Sequence, residues 1–319
     1  MIPTGYELLA IPAFILGVVF LYKGSDMLVD GTVKTAAKLG ISALIISVIL
    51  VGFGTSSPEF AISVGAAAQG ESDISLGNIV GSCIANLFLV LGISAIIKPI
   101  KINKGIIRRE IPILVAATVV LLIASYFSLL DEYRIFGGIL FLVLFVVFIW
   151  FFIICAKKER IKVDRYKDDD TKKDIAYIIF GIVGVVAGAY LLIESSVTIA
   201  DMFGIPQFVI AASIVAIGTS LPELVVSAMA AFKDESDVAV GNVLGSNVFN
   251  ILLILGFAAL FIPLYAFRSM DSIIILLIVT VAMVPIIYTK NIISRLEGAF
   301  MLVIYGVFIW YIFSGFHFI

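Results

Sequence analysis

The chain has 319 residues, 62% of them apolar and only 14% charged, with a mean hydropathy of +1.19. Soluble globular chains are about 45–50% apolar and about 25% charged, so a water-soluble domain, a disordered chain and a disulfide scaffold are excluded. A net charge of −2 offers no basic field for nucleic acid.

The apolar tracts repeatedly reach the ~20 residues that a membrane-spanning helix needs. We read ten spans, at roughly 5–22, 43–68, 74–97, 111–129, 134–155, 175–193, 207–232, 238–263, 272–289 and 297–315. The predicted fold is an all-α integral membrane protein in the lipid bilayer. Spans two, three, seven and eight carry Gly, Ser, Thr, Asn and Pro in their middles, whereas the others read as ordinary packing helices. Cys83 lies within the third span and Cys155 at the end of the fifth, and both read as free thiols. The single histidine, His317, stands near the C-terminus and is not expected to bind metal. Residues 1–10 lack the basic region of a cleavable signal sequence.

Basic residues set the expected orientation. Alternate loops 23–42, 98–110, 156–174, 233–237 and 290–296 hold 19 of the 21 Lys and Arg residues. That places both termini outside and the 157–174 segment in the cytoplasm. The segment packs 14 charges of both signs into 18 residues and reads as a solvated linker. It divides the chain into residues 1–156 and 175–319, with five spans in each.

The two halves repeat. Residues 52–92 and 216–256 align without a gap at an offset of 164, with 19 identities in 41 positions. Fifteen of the 19 identities fall on Gly, Thr, Ser, Pro, Glu, Asp and Asn, and only two on Leu, Ile or Val. Five spans is an odd number, so the two five-helix halves must be inverted relative to each other. Inverted repeats with interrupted helices are the signature of secondary transporters with a midplane site.

Only two acidic residues lie deep within spans, Glu59 and Glu223, at equivalent positions of the repeat. A lone ionised side chain at mid-membrane costs about 2.5–3.5 kcal/mol on insertion scales. Protonated glutamates serving as interhelical hydrogen-bond donors are one reading; a duplicated charge-binding site is the one we prefer. Thr55 and Ser56 share a helix face with Glu59, as Thr219 and Ser220 do with Glu223. Gly52 and Ser63 continue the first stripe, Ala216 and Ser227 the second. Pro58 and Pro222 each remove an amide hydrogen and open a helix near Gly54 and Gly218, by itself either a packing kink or the wall of an ion site. The next spans add Asn78, Ser82 and Asn86, matched by Asn242, Ser246 and Asn250. Asn78 and Asn242 suit helix packing as well as ion contact. Carboxylates, hydroxyls, amides and backbone carbonyls are hard ligands for Ca²⁺, Na⁺ or Mg²⁺.

GTSSPE with GSCIAN, and GTSLPE with GSNVFN, resemble the two alpha repeats of the sodium/calcium exchanger family. The resemblance covers essentially the whole chain. It implies that Glu59 and Glu223 coordinate Ca²⁺ and Na⁺, with Thr55, Ser56, Thr219, Ser220, Ser82, Asn86 and Ser246 around them. It adds the backbone oxygens of Gly52 and Ala216. Asn250 stands where many relatives have Asp, which bears on ion stoichiometry. The implied activity is Na⁺/Ca²⁺ antiport by alternating access, with Ca²⁺ extruded as Na⁺ enters. The expected protein is no enzyme, needs no cofactor, works as a monomer in the plasma membrane and has no regulatory domain in its linker. The alternatives are a proton-coupled Ca²⁺ antiporter and, further off, a cation channel.

Overall fold

The computed structural model describes residues 9–103, 109–158, 171–203 and 218–314. Residues 207–217 of the expected seventh span, Ala216 among them, lie outside these, as do residues 159–170 of the linker and His317.

The described chain is almost entirely helical. It runs through α1 (Ala10–Leu39), α2 (Ala43–Thr55), α3 (Ser57–Ala68), α4 (Ser72–Ile97), α5 (Ile111–Tyr126) and α6 (Arg134–Lys158). It continues through α7 (Thr171–Met202), α8 (Leu221–Phe232), α9 (Ser236–Phe261), α10 (Met270–Lys290) and α11 (Arg295–Ser314). Among the described residues six helices are long and apolar enough to cross a membrane, and the bent pair α2–α3 makes a seventh. The remaining apolar helices, in α5, α8 and α10, are shorter.

Two helices outrun their expected spans. Residues 23–39, read as a loop from their charges, continue α1, and α7 covers residues 171–174 and 194–202 as well as its predicted core. Charges of this extension are paired. Asp26 and Asp30, one turn apart, both take Lys233 at 2.6 Å, and Lys38 meets Asp174 of α7 at 2.5 Å. An apolar window cannot see a helix whose polar extension finds partners on neighbouring helices.

Glycines set the helix contacts. Gly17, Gly24 and Gly31 recur every seven residues along α1 and face the backbone of α7. A Cβ on Gly24 would stand 2.7 Å from the Val185 amide nitrogen, so only glycine permits this approach. Elsewhere the halves exchange partners. Gly92 of α4 packs on Gly298 of α11, while Gly256 of α9, its repeat equivalent, packs on Gly138 of α6.

The connections sort into two ends. At one, Lys98 pairs with Asp234, Asn103 donates to Asp237, and the two-residue strands Ile100–Lys101 and Ile292–Ile293 pair antiparallel. At the other, the Leu264 amide donates to the Leu130 carbonyl and the Ala266 amide to Asp131. The first end gathers the basic loops, the second the loops poor in basic residues.

Candidate cation-binding site

Each glutamate stands in the first turn of a helix that follows a break. Ser56 (φ −80°, ψ 8°) separates α2 from α3 at a bend of 47°, and Ser220 (φ −86°, ψ 6°) precedes α8. Pro58 and Pro222 occupy the first turns of α3 and α8, where a missing amide hydrogen costs nothing. The breaks bring Glu59 and Glu223 to full burial and close enough to interact electrostatically.

Donors from one half meet the glutamate of the other. The Ser56 hydroxyl donates to Glu223 Oε1 at 3.0 Å, and the hydroxyls of Thr55 and Ser246 also face that carboxylate. Thr55 lies 3.3 Å from Ser246, and its repeat equivalent Thr219 lies 3.5 Å from Ser82, whose hydroxyl faces Glu59. The break before α3 therefore lies against α9, and the break before α8 lies against α4. Ser246 also donates to the Gly52 carbonyl at 3.2 Å. The approach is tight enough that a Cβ on Gly52 would lie 2.8 Å from the Ser246 amide nitrogen.

The predicted residues that fall within the described chain converge here: Glu59, Glu223, Thr55, Ser56, Thr219, Ser220, Ser82, Asn86, Ser246, Asn250 and Gly52 are all buried. Asn86 opens one π-helical stretch, Asn86–Val90, and Asn250 is the second residue of another, Phe249–Ile254, at corresponding places in the two halves. Such stretches often mark functional sites. Asn78 and Asn242 take the packing role, donating to Ser63 at 2.9 Å and Ser227 at 3.0 Å. Asn242 additionally accepts from Thr55 at 2.9 Å.

Many of these polar atoms have no protein hydrogen bond. They are both Glu59 oxygens, Glu223 Oε2, Ser220 Oγ, Asn86 Oδ1 and both polar atoms of Asn250. Buried polar groups are normally satisfied, so this cluster of exceptions marks a place that can take up a cation, water or protons. Among the described residues no Lys, Arg or His pairs with either glutamate. Nor do three or more His, Cys, Asp or Glu side chains gather as a metal cluster. The donors are hard oxygens supplied by two carboxylates. A mostly apolar cavity of about 460 Å³, whose walls include Ile62, Ile74, Val80 and Phe308, reaches this polar set at Ser82 and Thr219.

One contact escaped the sequence reading. Asn247 accepts from Asn86 at 3.0 Å and donates to the Cys83 carbonyl at 3.1 Å. Its only sequence signal was the mismatch with Cys83 in an otherwise matched polar set.

An apolar helical bundle enclosing hard-oxygen donors belongs to the class of ion-transporting membrane proteins. The family model described as sodium/calcium exchanger protein matches residues 9–154 and 173–314. The sodium/calcium exchanger MaX1 of Methanosarcina acetivorans is 33% identical, over 92% of this chain and 96% of its own. The solved structure of the sodium/calcium exchanger from Methanococcus jannaschii superposes with a TM-score of 0.82 at 30% identity, over 95% of this chain and 98% of its own. A structure of the exchanger NCX_Mj soaked with 2.5 mM Na⁺ and 0.1 mM Ca²⁺ gives 0.82 at 31% identity, over 97% and 99%. The chain belongs to the sodium/calcium exchanger family, whose members are cation exchangers.

Proposed function

We propose that the chain is a Na⁺/Ca²⁺ antiporter that works by alternating access, with Na⁺ entry driving Ca²⁺ out of the cell. Its transported cations bind between the two broken helices. Glu59 and Glu223 supply the charge. Thr55, Ser56, Thr219, Ser220, Ser82, Asn86, Ser246 and Asn250, with the carbonyls of Gly52 and Ala216, supply neutral oxygens. The observation that carries this reading is the set of buried, unpartnered oxygens on two repeat-equivalent glutamates. The names of the relatives as sodium/calcium exchangers support the choice of ions.

Charge gives the coupling rule. Two ionised glutamates leave an empty site near −2, and one Ca²⁺ or two Na⁺ offset that. An uncompensated charge in a low-dielectric interior is costly, so the empty site does not change sides while a loaded one does. A third Na⁺ would make each cycle electrogenic, at about 2.3 kcal/mol per charge per 100 mV.

The architecture we propose is ten spans in two inverted five-helix repeats, residues 1–156 and 175–319, joined by a cytoplasmic linker at 157–174. The protein acts as a monomer in the plasma membrane with both termini outside. The exchange of partners between halves and the sorting of loops to two ends support it. α1 and α7, in contact along glycines, are the pair that slides against the site helices.

The coupling ion is tested by reconstituting the protein in vesicles and applying one gradient at a time. Ca²⁺ should move under a Na⁺ gradient alone and not under a pH gradient alone. The reverse result would make the protein a proton-coupled antiporter.

A further inference from the structure

The Cys83 carbonyl of α4 sets the direction of two side-chain amides in series. A carbonyl oxygen only accepts, so Asn247 turns its NH₂ group toward it, at 3.1 Å. The Asn247 Oδ1 then accepts from the Asn86 Nδ2 at 3.0 Å. With its nitrogen held there, Asn86 has its oxygen turned away from Asn247. That Oδ1 is buried and has no hydrogen-bond partner. Asn86 follows Ser82 by four residues and shares its face of α4, and the Ser82 hydroxyl faces Glu59. The negative end of the Asn86 amide is thus offered among the unpartnered oxygens of the ion site.

The other half has no such arrangement. The repeat equivalent of Asn247 is Cys83, whose thiol stands beside Asn250, the equivalent of Asn86. The thiol is directed at the Asn247 carbonyl, at 3.9 Å. Neither polar atom of Asn250 has a hydrogen-bond partner among the described residues. The two site amides are therefore unequal: Asn86 is held in one orientation by hydrogen bonds, and Asn250 is not.

We propose that Asn247 is a positioning residue, which holds Asn86 with its oxygen toward the transported cations while the protein engages both of its own polar atoms. The proposal rests on the cation-binding reading of this site. An amide attracts a cation through its oxygen and repels it through its NH₂ hydrogens. Without Asn247, Asn86 is oriented for binding only part of the time, and apparent affinity falls by that fraction. Partners that orient the ligands of a metal ion commonly govern its affinity by about tenfold or more.

Equilibrium Ca²⁺ binding to the purified protein in Na⁺-free detergent tests the role without transport. Asn247→Cys puts there the residue that the other half already carries, and Asn247→Ala removes the amide altogether. Either variant suffices once its Tm shows it folded. Each should raise the half-saturating Ca²⁺ concentration several-fold. In an Asn86→Asp background neither should weaken binding, because a carboxylate presents an oxygen whichever way it turns. Weakening of the same size in both backgrounds makes Asn247 a packing residue and overturns the proposal. So does unchanged affinity in the single variants. Glu59→Gln separates this failure from that of the site itself. If Glu59→Gln abolishes binding while the Asn247 variants leave it intact, only the positioning role falls. If Glu59→Gln binds Ca²⁺ like wild type, the site reading and the positioning role fall together.

Discussion

Asn247 donates its side-chain amide to the Cys83 carbonyl at 3.1 Å, and the two residues hold the same position in the two halves of the chain. The Cys83 thiol in turn lies 3.9 Å from the Asn247 carbonyl. Equivalent residues in mutual contact are what an inverted repeat places on its axis. Asn247→Ala leaves the Cys83 carbonyl and the Asn86 amide without this partner in a buried place. The expected cost is about 1–3 kcal/mol for each group left unsatisfied. Thermal unfolding in detergent should show a clear fall in Tm.

The glycine seam between α1 and α7 makes a graded prediction. A Cβ at Gly24 would meet backbone at 2.7 Å and one at Gly188 at 2.6 Å, whereas Gly306 on α11 has nothing within 4 Å. Gly24→Ala and Gly188→Ala should each cost about 1–3 kcal/mol through overpacking and slow Ca²⁺ flux. Gly306→Ala should do neither. Equal flux in all three variants would show that the seam does not matter to transport.

Lys233 ties the turn between α8 and α9 to Asp26 and Asp30 of α1. The three side chains are partly exposed, so each pair is screened and worth about 0.2–1 kcal/mol. Lys233→Gln should therefore barely move Tm. It should still change the rate of Ca²⁺ exchange, by up to about fivefold for 1 kcal/mol, because one end of α1 is released. The difference from wild type should shrink in high salt.

Burial raises the pKa of Glu235 above its ordinary value, and Asp237, Asp30 and Asp234 add to the effect. The folded state therefore takes up a proton at a higher pH than the unfolded chain does. Its contribution to stability is gained as pH falls through the raised value and lost as pH rises through it. Glu235→Gln should raise Tm slightly at neutral pH and flatten its dependence on pH just above the ordinary carboxylate range. The group is only half buried, so the effect is small. Unfolding scans of both proteins between pH 4 and about 7.5 test it.

The polar residues proposed for the site were legible because they occur twice in the sequence. Glu59 with Glu223, Thr55 with Thr219 and Ser82 with Ser246 stood out as polar identities among apolar residues. Their pairing was not legible. Thr55 meets Ser246 and Thr219 meets Ser82, and that exchange depends on how the helices of one half cross those of the other. The π-helical turns at Asn86–Val90 and Phe249–Ile254 left no pattern in the residues, since they differ from α-helix by one residue in the hydrogen-bond ladder. The polar extension of α1 was hidden because its charges are satisfied by Lys233 and Asp174, far away in sequence. The pairing of Ile100–Lys101 with Ile292–Ile293 was hidden for the same reason.

The central claim is that Glu59 and Glu223 hold the transported cations. The direct test is Ca²⁺ uptake into vesicles driven by an outward Na⁺ gradient, for wild type, Glu59→Gln and Glu223→Gln, with Tm confirming that each variant is folded. Wild-type vesicles should accumulate Ca²⁺, and both variants should fall to the rate of protein-free vesicles. Full uptake by both folded variants would contradict the account.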